Sequence, residues 1–331
     1  MRRCRVLAVG SYLPSRVVKN DDLRQWMDTS NEWIVERTGI EERRWVEPGQ
    51  GPADLGTRAA ERAIEAAGLT AKDIQMIILA TLSPQHEFPG TGVFVQRQLG
   101  LTDIPALDIR QQCTGFVYGL SIADQYIKTG MYDRILVVGT EVHSTGLDLS
   151  TAGRDVAVIF GDGAGAAVLG PSEDAERGVL STHLHADGSL AEMLWIEKPG
   201  SRFQPRITAV DLEEGKHFPR MQGRQVFKHA VTRMPEAVHE ALAASRLSIE
   251  DLDLLIPHQA NLRISEMVQK ILGLPDDRVY NNIQRYGNTT AASIPIALDE
   301  CVRSGRLKAG ALVCLCAFGA GFTWGSALIR W

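Results

Sequence analysis

The sequence predicts an α/β fold in which two similar halves each contain a sheet covered by helices on both faces. Two apolar runs, 134–139 and 310–315, lack the apolar–polar alternation of a half-exposed strand. Such runs, separated by helical stretches, are typical of sheets with βαβ crossovers. A chain of 331 residues is long enough for two core-forming units.

The second observation is an internal repeat with a period near half the chain. Residues 66–79 and 244–257 both indicate a helix end, a Leu-Thr or Leu-Ser cap, an acidic turn and a buried strand. The repeat continues through glycine-capped helices at 95–101 and 268–274, helices at 116–129 and 290–305, and closing strands at 164–169 and 324–329. We therefore predict halves at 1–172 and 173–331, related by a pseudo-twofold axis.

Cys113 lies where a predicted strand, 105–109, gives way to a helix. Unpaired backbone N–H groups and the positive end of the helix dipole meet at such a start. They favour the thiolate, which is the nucleophilic form of cysteine. Most free cysteines are nevertheless small buried residues, so this stretch alone leaves both interpretations open.

The repeat predicts which residues could meet Cys113. His258 follows the strand that matches 77–80, and Asn288 lies at the second-half counterpart of the Cys113 helix start. A twofold would bring all three together, although a loop histidine and a turn asparagine are the plainer interpretations. The glycines in 319–321 could present backbone N–H groups as an oxyanion hole or could simply form a tight turn. We interpret 161–165 as a close-packed turn, because no Gly-Lys-Ser/Thr follows it.

Composition excludes several classes of function. The net charge is −5, and no long basic run with interleaved aromatic residues indicates a nucleic-acid partner. No apolar run is long enough to span a bilayer, and the apolar stretch 6–9 is too short for a signal peptide, so we expect a cytoplasmic protein without a membrane partner. Five cysteines, an odd number, suit a reducing compartment. Cys314 and Cys316 fit core packing better than a metal pair, and we expect no metal.

Several motifs together resemble β-ketoacyl-acyl-carrier-protein synthase III, a family of thiolase-like condensing enzymes. They are CTGF at 113–116, PHQANLRI at 257–264, YGNTTAAS at 286–293, FGAGFTWGSALI at 318–329, DTSNEWIVERTGIEERR at 28–44 and IFGDGAGAAVL at 159–169. The resemblance runs nearly end to end. It implies two similar halves in a five-layered αβαβα arrangement, in agreement with the repeat.

The resemblance implies a decarboxylative Claisen condensation that starts fatty-acid chains. Cys113 would take the acyl group from an acyl-CoA, and malonyl-acyl-carrier-protein would then lose carbon dioxide. His258 and Asn288 would donate hydrogen bonds to the resulting enolate, while the backbone N–H groups of Cys113 and Ala320 would form the oxyanion hole. Coenzyme A enters only as a thioester substrate, so no cofactor is implied.

The resemblance also assigns binding residues and a homodimer. Trp33 and Arg154 would flank the adenine of coenzyme A, Arg37 would lie near its phosphates and Asn261 near its pantetheine arm. The pantetheine channel would be lined by Gly223, Phe227 and Phe318. An acidic carrier protein would meet a basic patch of Arg224, Lys228, Arg233 and Arg263.

Three features depart from the family pattern. Gln112 and Thr114 flank the nucleophile where small apolar residues are expected, and Ala320 replaces a glycine. The segment 195–221 is longer than expected, and its Trp195, Phe203, Ile207 and Phe218 could add apolar wall to the acyl pocket.

The choice of primer depends on two features that conflict. Phe88 matches an aromatic position that closes the acyl pocket of its own chain or of the dimer partner, which favours a short primer. The segment 195–221 favours a longer one, and we give Phe88 more weight.

Three other functions compete with this prediction. The first is a related enzyme of secondary metabolism that uses a bulkier primer or another acceptor. The second is a papain-like cysteine hydrolase, whose signature is absent around Cys113. The third is a non-catalytic binding protein, which the intact set of Cys113, His258 and Asn288 disfavours.

Overall fold

The computed structural model describes residues 2–174 and 176–331. The strands are β1 (Arg3–Tyr12), β2 (Arg16–Lys19), β3 (Glu42–Trp45), β4 (Met76–Ala80), β5 (Ala106–Ile109), β6 (Ile135–Glu141), β7 (Gly163–Ser172), β8 (Gly178–Ala186), β9 (Leu194–Trp195), β10 (Arg220–Met221), β11 (Leu254–Pro257), β12 (Leu312–Gly319) and β13 (Thr323–Arg330). The α-helices are α1 (Asn31–Thr38), α2 (Pro52–Ala66), α3 (Thr91–Gln98), α4 (Gly115–Lys128), α5 (Arg154–Ala157), α6 (Ala209–Glu213), α7 (Gly223–Ala244), α8 (Leu262–Leu272), α9 (Ile283–Tyr286) and α10 (Ser293–Arg303).

Two sheets form the frame of the molecule. The first has the order β1-β7-β6-β4-β5, and the second has the order β11-β12-β13-β8. Pairing is parallel between β4 and its neighbours β5 and β6, and between β11 and β12. Every residue of β4, β6 and β12 is buried, as expected of strands that are apolar on both faces.

Helices cover both sheets and separate them. Helices α2 and α3 lie on the outer face of the first sheet, and α7, with α8 packed against it, lies on the outer face of the second. Helices α4 and α10 contact strands of both sheets and so form the middle layer. The predicted five-layered αβαβα fold is confirmed.

The largest core cluster lies in that middle layer. Phe116 and Leu120 of α4 and Ile294 and Leu298 of α10 are essentially inaccessible to solvent. Burial of each such side chain contributes roughly 1.5–3 kcal/mol, so the two helix starts are held firmly between the sheets. The strands of the first sheet all lie within 3–172 and those of the second within 178–330, while the division at residues 172 and 173 stays a prediction.

No helix in the described ranges is long and apolar enough to cross a membrane. All five cysteines are buried and free.

Candidate active site

Cys113 lies in a tight turn between β5 and α4. The turn is a 3-10 segment, Gln112–Thr114, and α4 continues from Gly115. Gln112 has φ +45°, in the left-handed region that costs a side-chain-bearing residue energy. The turn leaves the Cys113 side chain 7% exposed and facing a cavity of about 1460 Å³.

The second half encloses the Cys113 side chain closely. A Cβ at Gly319, where β12 ends, would lie 2.6 Å from the Cys113 Cβ and 3.1 Å from its Sγ. The hydroxyl oxygens of Thr114 and Thr323 lie 2.8 Å apart in a hydrogen bond that joins the helix start to β13. Only a residue without a side chain fits at position 319.

The pKa of the Cys113 thiol differs from the sequence-based expectation. The backbone N–H groups of Cys113 and Ala320 interact with the thiol and lower its pKa. Burial, aided by the negative charge of Glu141, outweighs them and raises the pKa to about 12. Desolvation of the buried thiolate therefore outweighs the stabilisation that the sequence-based expectation assigns to the helix start.

His258 follows the last residue of β11. Its backbone N–H donates to the carbonyl of Cys316 at 2.8 Å, which fixes it against β12. Its ring Nδ1 lies 2.6 Å from the hydroxyl oxygen of Ser293, whereas Nε2 has no hydrogen-bond partner among the described residues. Burial lowers the pKa of this imidazole to about 3, so the ring is neutral at physiological pH.

Asn288 is held through its backbone. Its N–H donates to the carbonyl of Ile159 at 2.8 Å, and its carbonyl accepts from the N–H of Gly161 at 3.1 Å. The side-chain Oδ1 accepts from the N–H of Thr290 at 2.8 Å. That bond fixes which way the amide points and leaves its NH₂ group available as a donor.

Cys113, His258 and Asn288 all line the same cavity, as the repeat predicts. They come from the starts of the two central helices and from the carboxyl end of a parallel strand. Ala320 lines the cavity beside them.

The mouth of the cavity holds the other residues predicted to bind coenzyme A. The guanidinium carbons of Arg37 and Arg154 lie 4.3 and 4.9 Å from the ring centre of Trp33, within cation–π distance. Asn261 caps α8 by accepting from the N–H of Arg263 at 3.0 Å, and its NH₂ donates to the carbonyl of Arg37 at 2.9 Å. Gly223, Phe227 and Phe318 line the same cavity as Cys113.

The four residues of the predicted basic patch separate into two pairs. Arg224 and Arg263 line the cavity, whereas Lys228 and Arg233 do not. The guanidinium of Arg233 instead bonds to Glu236 at 2.8 Å and lies 4.9 Å from the ring centre of Trp324.

Phe88 does not line the cavity of its own chain, and its side chain is 81% exposed. The prediction that it closes an acyl pocket therefore does not hold within one chain, because its loop points the ring outward. A role at the partner's pocket stays a prediction.

The long segment 195–221 forms a small ordered hairpin. Its ends pair as β9 and β10, and the carboxylate of Asp211, 4% exposed, lies 2.9 Å from Lys198 Nζ and 3.2 Å from Lys216 Nζ. Five of its residues line the cavity: Trp195, Ile196, Pro199, Pro219 and Met221. Three residues predicted to add apolar wall do not line it: Phe203, Ile207 and Phe218.

Two buried titratable groups escaped the sequence analysis: Glu141, which does not line the cavity, and His143, which does. The carboxylate of Glu141 accepts hydrogen bonds from the hydroxyl groups of Ser83 and Thr81 at 2.6 and 3.1 Å and from the backbone N–H groups of Leu82, Ser83 and Ala291. Burial still raises the pKa of Glu141 to about 7. His143 bonds through Nε2 to the hydroxyl of Thr290 at 2.7 Å. Both residues lie at the carboxyl end of β6. His258 is singled out because it lies at the end of a strand, and the same signal could have found these two residues.

Comparisons with known proteins place this geometry in context. The family model described as 3-oxoacyl-[acyl-carrier-protein (ACP)] synthase III matches residues 107–188, and the model of its C-terminal part matches 242–331. Beta-ketoacyl-[acyl-carrier-protein] synthase III of Escherichia coli (strain K12) is 48% identical over 326 residues, which cover 98% of this chain and 99% of the relative. The protein of that description from Caldanaerobacter subterraneus subsp. tengcongensis is 47% identical over 326 residues, covering 98% and 97%.

Solved structures agree. The 3-oxoacyl-[acyl-carrier-protein] synthase III of Aquifex aeolicus VF5 superposes with a TM-score of 0.91 at 42% identity and covers 99% of this chain and 100% of its own. The priming β-ketosynthase of the R1128 polyketide biosynthetic pathway gives a TM-score of 0.90 at 35% identity, with coverages of 99% and 96%.

Proposed function

Because the chain belongs to the β-ketoacyl-[acyl-carrier-protein] synthase III family of condensing enzymes, which initiate fatty-acid synthesis, we propose that Cys113, His258 and Asn288 perform its condensation. One observation carries this assignment: the three side chains face one cavity, and the N–H of Ala320 is directed at the thiol. An acyltransferase of this kind needs a nucleophile, donors for an enolate and an oxyanion hole, and these residues supply them.

In the first half-reaction, the sulfur of Cys113 attacks the carbonyl carbon of an acyl-CoA. The backbone N–H groups of Cys113 and Ala320 bind the oxyanion of the tetrahedral intermediate. That intermediate collapses by breaking its bond to the coenzyme A sulfur, which leaves with the thiol proton. The two N–H groups already lower the pKa of the thiol, so they are suitably placed to stabilise negative charge at this centre.

In the second half-reaction, malonyl-acyl-carrier-protein loses carbon dioxide. The electrons of the broken carbon–carbon bond form a thioester enolate, whose oxygen accepts hydrogen bonds from Nε2 of His258 and from the amide of Asn288. The enolate carbon then forms a bond to the acyl carbonyl carbon, whose bond to the Cys113 sulfur breaks, and the sulfur leaves as a thiolate that takes up a proton from solvent. The neutral imidazole and the oriented amide support these roles, because each can donate without first gaining a proton.

We further propose that Trp33 and Arg154 hold the adenine, that Arg37 holds the phosphates and that Asn261 contacts the pantetheine arm. Gly223, Phe227 and Phe318 line the channel that this arm would follow to Cys113. An acidic carrier protein would contact Arg224 and Arg263 at the mouth, with Lys228 and Arg233 farther out. The family resemblance supports a homodimer, a cytoplasmic location and no cofactor beyond the thioester substrate.

For the primer, we propose a short acyl chain. The exposure of Phe88 in a single chain supports an action of its ring on the cavity of a dimer partner. Trp195, Ile196 and Pro199 of the hairpin bring bulky groups to the cavity. These bulky groups support a narrower cavity, and a narrower cavity favours a short primer.

Incubation with acetyl-CoA followed by mass spectrometry tests the assignment of the nucleophile. We expect an acetyl adduct on Cys113 that is abolished in Cys113→Ala. Cys316→Ala is a matched control, because Cys316 is buried and does not line the cavity. An undiminished adduct in Cys113→Ala, or an adduct mapped to Cys301 or Cys314, would refute the assignment.

A further inference from the structure

The proposed role of His258 does not by itself determine which of its ring nitrogens carries the proton. A neutral imidazole carries one proton, so one ring nitrogen donates and the other accepts. Burial keeps this ring neutral by lowering its pKa to about 3. Nε2, which has no partner among the described residues, can therefore be either a donor or a bare acceptor. A donor could stabilise an enolate, whereas an acceptor could only remove a proton.

The hydrogen-bond partner of Nδ1 determines which of the two neutral tautomers His258 adopts. Nδ1 lies 2.6 Å from the hydroxyl oxygen of Ser293, the first residue of α10. Ser293 is 2% exposed, so solvent offers no alternative partner to either atom. If Ser293 donates, Nδ1 is bare and the proton lies on Nε2.

A second bond to Ser293 indicates that it donates. Its hydroxyl oxygen accepts from the backbone N–H of Gln259 at 3.4 Å, a long bond that occupies one lone pair. A serine at the start of a helix could instead donate to a carbonyl one turn back, but no such bond is present among the described residues. The only acceptor within hydrogen-bond distance of the Ser293 hydroxyl in those residues is therefore Nδ1 of His258.

We propose that Ser293 fixes His258 in the tautomer that carries its proton on Nε2, and is thereby a positioning residue for decarboxylation. Ser293 does not line the cavity and acts through the ring of His258. This inference rests on the proposed function for its catalytic consequence, but the tautomer itself can be measured without any substrate. With its proton on Nε2, His258 cannot accept the thiol proton of Cys113. His258 is therefore not the base in the acylation step.

Nitrogen-15 NMR of protein labelled on its eight histidines tests the tautomer directly. The signals of His258 are those that disappear in His258→Gln. We expect a protonated Nε2 and a bare Nδ1 in the wild type, and loss of that fixed pattern in Ser293→Ala. A wild-type spectrum with the proton on Nδ1 overturns the proposal, and this result needs no Ser293 variant to fold.

The catalytic consequence is tested by separating the half-reactions. Removal of an outer hydrogen bond that fixes a histidine, as known from metal sites, typically costs about 10- to 100-fold. We expect Ser293→Ala to slow decarboxylation of malonyl-acyl-carrier-protein by about that factor while acylation of Cys113 stays near the wild-type rate. Ser293→Thr, which keeps the hydroxyl, should restore decarboxylation.

Ser326→Ala is the matched control. Ser326 is also fully buried, and its hydroxyl donates to the carbonyl of Ala237 at 2.7 Å, away from His258. It should leave the ratio of the two half-reactions unchanged. If Ser293→Ala slows both half-reactions equally, Ser293 has a purely structural role and the proposal fails. Absence of any acyl adduct on wild-type Cys113 would instead refute the proposed function and leave the NMR result standing.

Discussion

Gly319→Ala is expected to slow acylation of Cys113 by about 10²-fold while leaving the protein folded. An alanine Cβ would lie 2.6 Å from the Cys113 Cβ, whereas ordinary contacts begin near 3.4 Å. One of the two residues must therefore move by about 0.8 Å. A misplacement of about 1 Å at a reacting centre can cost about 10²-fold in rate.

Neither side of this contact is the flexible end of a long side chain. Cys113 lies in the turn that starts α4, and Gly319 is paired with Thr323 across β12 and β13. The strain therefore falls on the angle between the thiol and the N–H of Ala320, which immediately follows Gly319. The oxyanion hole and the nucleophile should lose their alignment together.

The assay is the rate of acetyl-enzyme formation, followed by rapid quenching and intact-protein mass spectrometry. Gly188→Ala is the control, because Gly188 has open space around its added methyl and no left-handed φ. Thermal unfolding shows whether Gly319→Ala retains its fold. Acylation by a folded Gly319→Ala at the wild-type rate would refute the close approach of these two residues.

Three further predictions concern other parts of the site. Asn288→Ala should still acylate on Cys113 but release carbon dioxide from malonyl-acyl-carrier-protein about 10²–10³-fold more slowly, and near-normal release would exclude the donor role. Acetyl-CoA or another short primer should give the highest kcat/KM in a series up to decanoyl-CoA, and Phe88→Ala should shift the preference to longer chains. A wild-type preference for octanoyl-CoA or longer would contradict both the short primer and the closing of the pocket by Phe88. Glu141→Gln should flatten the pH dependence of stability. The folded-state pKa of Glu141 is raised from 4.5 to about 7, so the unfolded chain ionises at lower pH than the folded one. The free energy of unfolding of the wild type therefore falls by up to about 3 kcal/mol as pH rises between those values. Urea unfolding of both proteins at the two pH limits measures this loss, and an equal loss in Glu141→Gln would show that another group is responsible.

The parts of the fold that the sequence predicts are those set by local chemistry. The helix predicted at 116–129 is α4, and the helix predicted at 268–274 is the last part of α8, which ends at Gly273 with φ +67°. An apolar run or a glycine cap acts within a few residues, so its effect can be deduced without tertiary structure. The meeting of Cys113, His258 and Asn288 was also predictable, because the repeat supplied the missing long-range information.

The errors arise where packing between distant segments decides. The pKa of Cys113 depends on burial by the second half and on the charge of Glu141, and neither is visible in the stretch around the cysteine. Phe88 belongs to an exposed loop, and its contact with a second chain stays a prediction. Segment 195–221 contains ion pairs of Asp211 with two lysines that lie on either side of it in sequence, and of its aromatic residues Trp195 lines the cavity whereas Phe203 and Phe218 do not.

The two helix starts that the repeat relates share one backbone geometry but differ in what surrounds them. The two central helices both start in a 3-10 turn with a left-handed residue, Gln112 at φ +45° and Thr290 at φ +49°. Each conformation costs on the order of 1–3 kcal/mol, so both turns are held by their surroundings.

The residue after each left-handed position is confined by a glycine, because a Cβ at Gly319 would meet Cys113 and a Cβ at Gly139 would meet Ala291. The difference lies in what fills the space beyond the turn. The N–H of Ala291 donates to a carboxyl oxygen of Glu141 at 3.3 Å, so the second turn is anchored by an internal carboxyl group. Cys113 lines a cavity instead, which supports the proposal that the N–H of the first turn binds a transient oxyanion as the N–H of the second turn binds a carboxyl group.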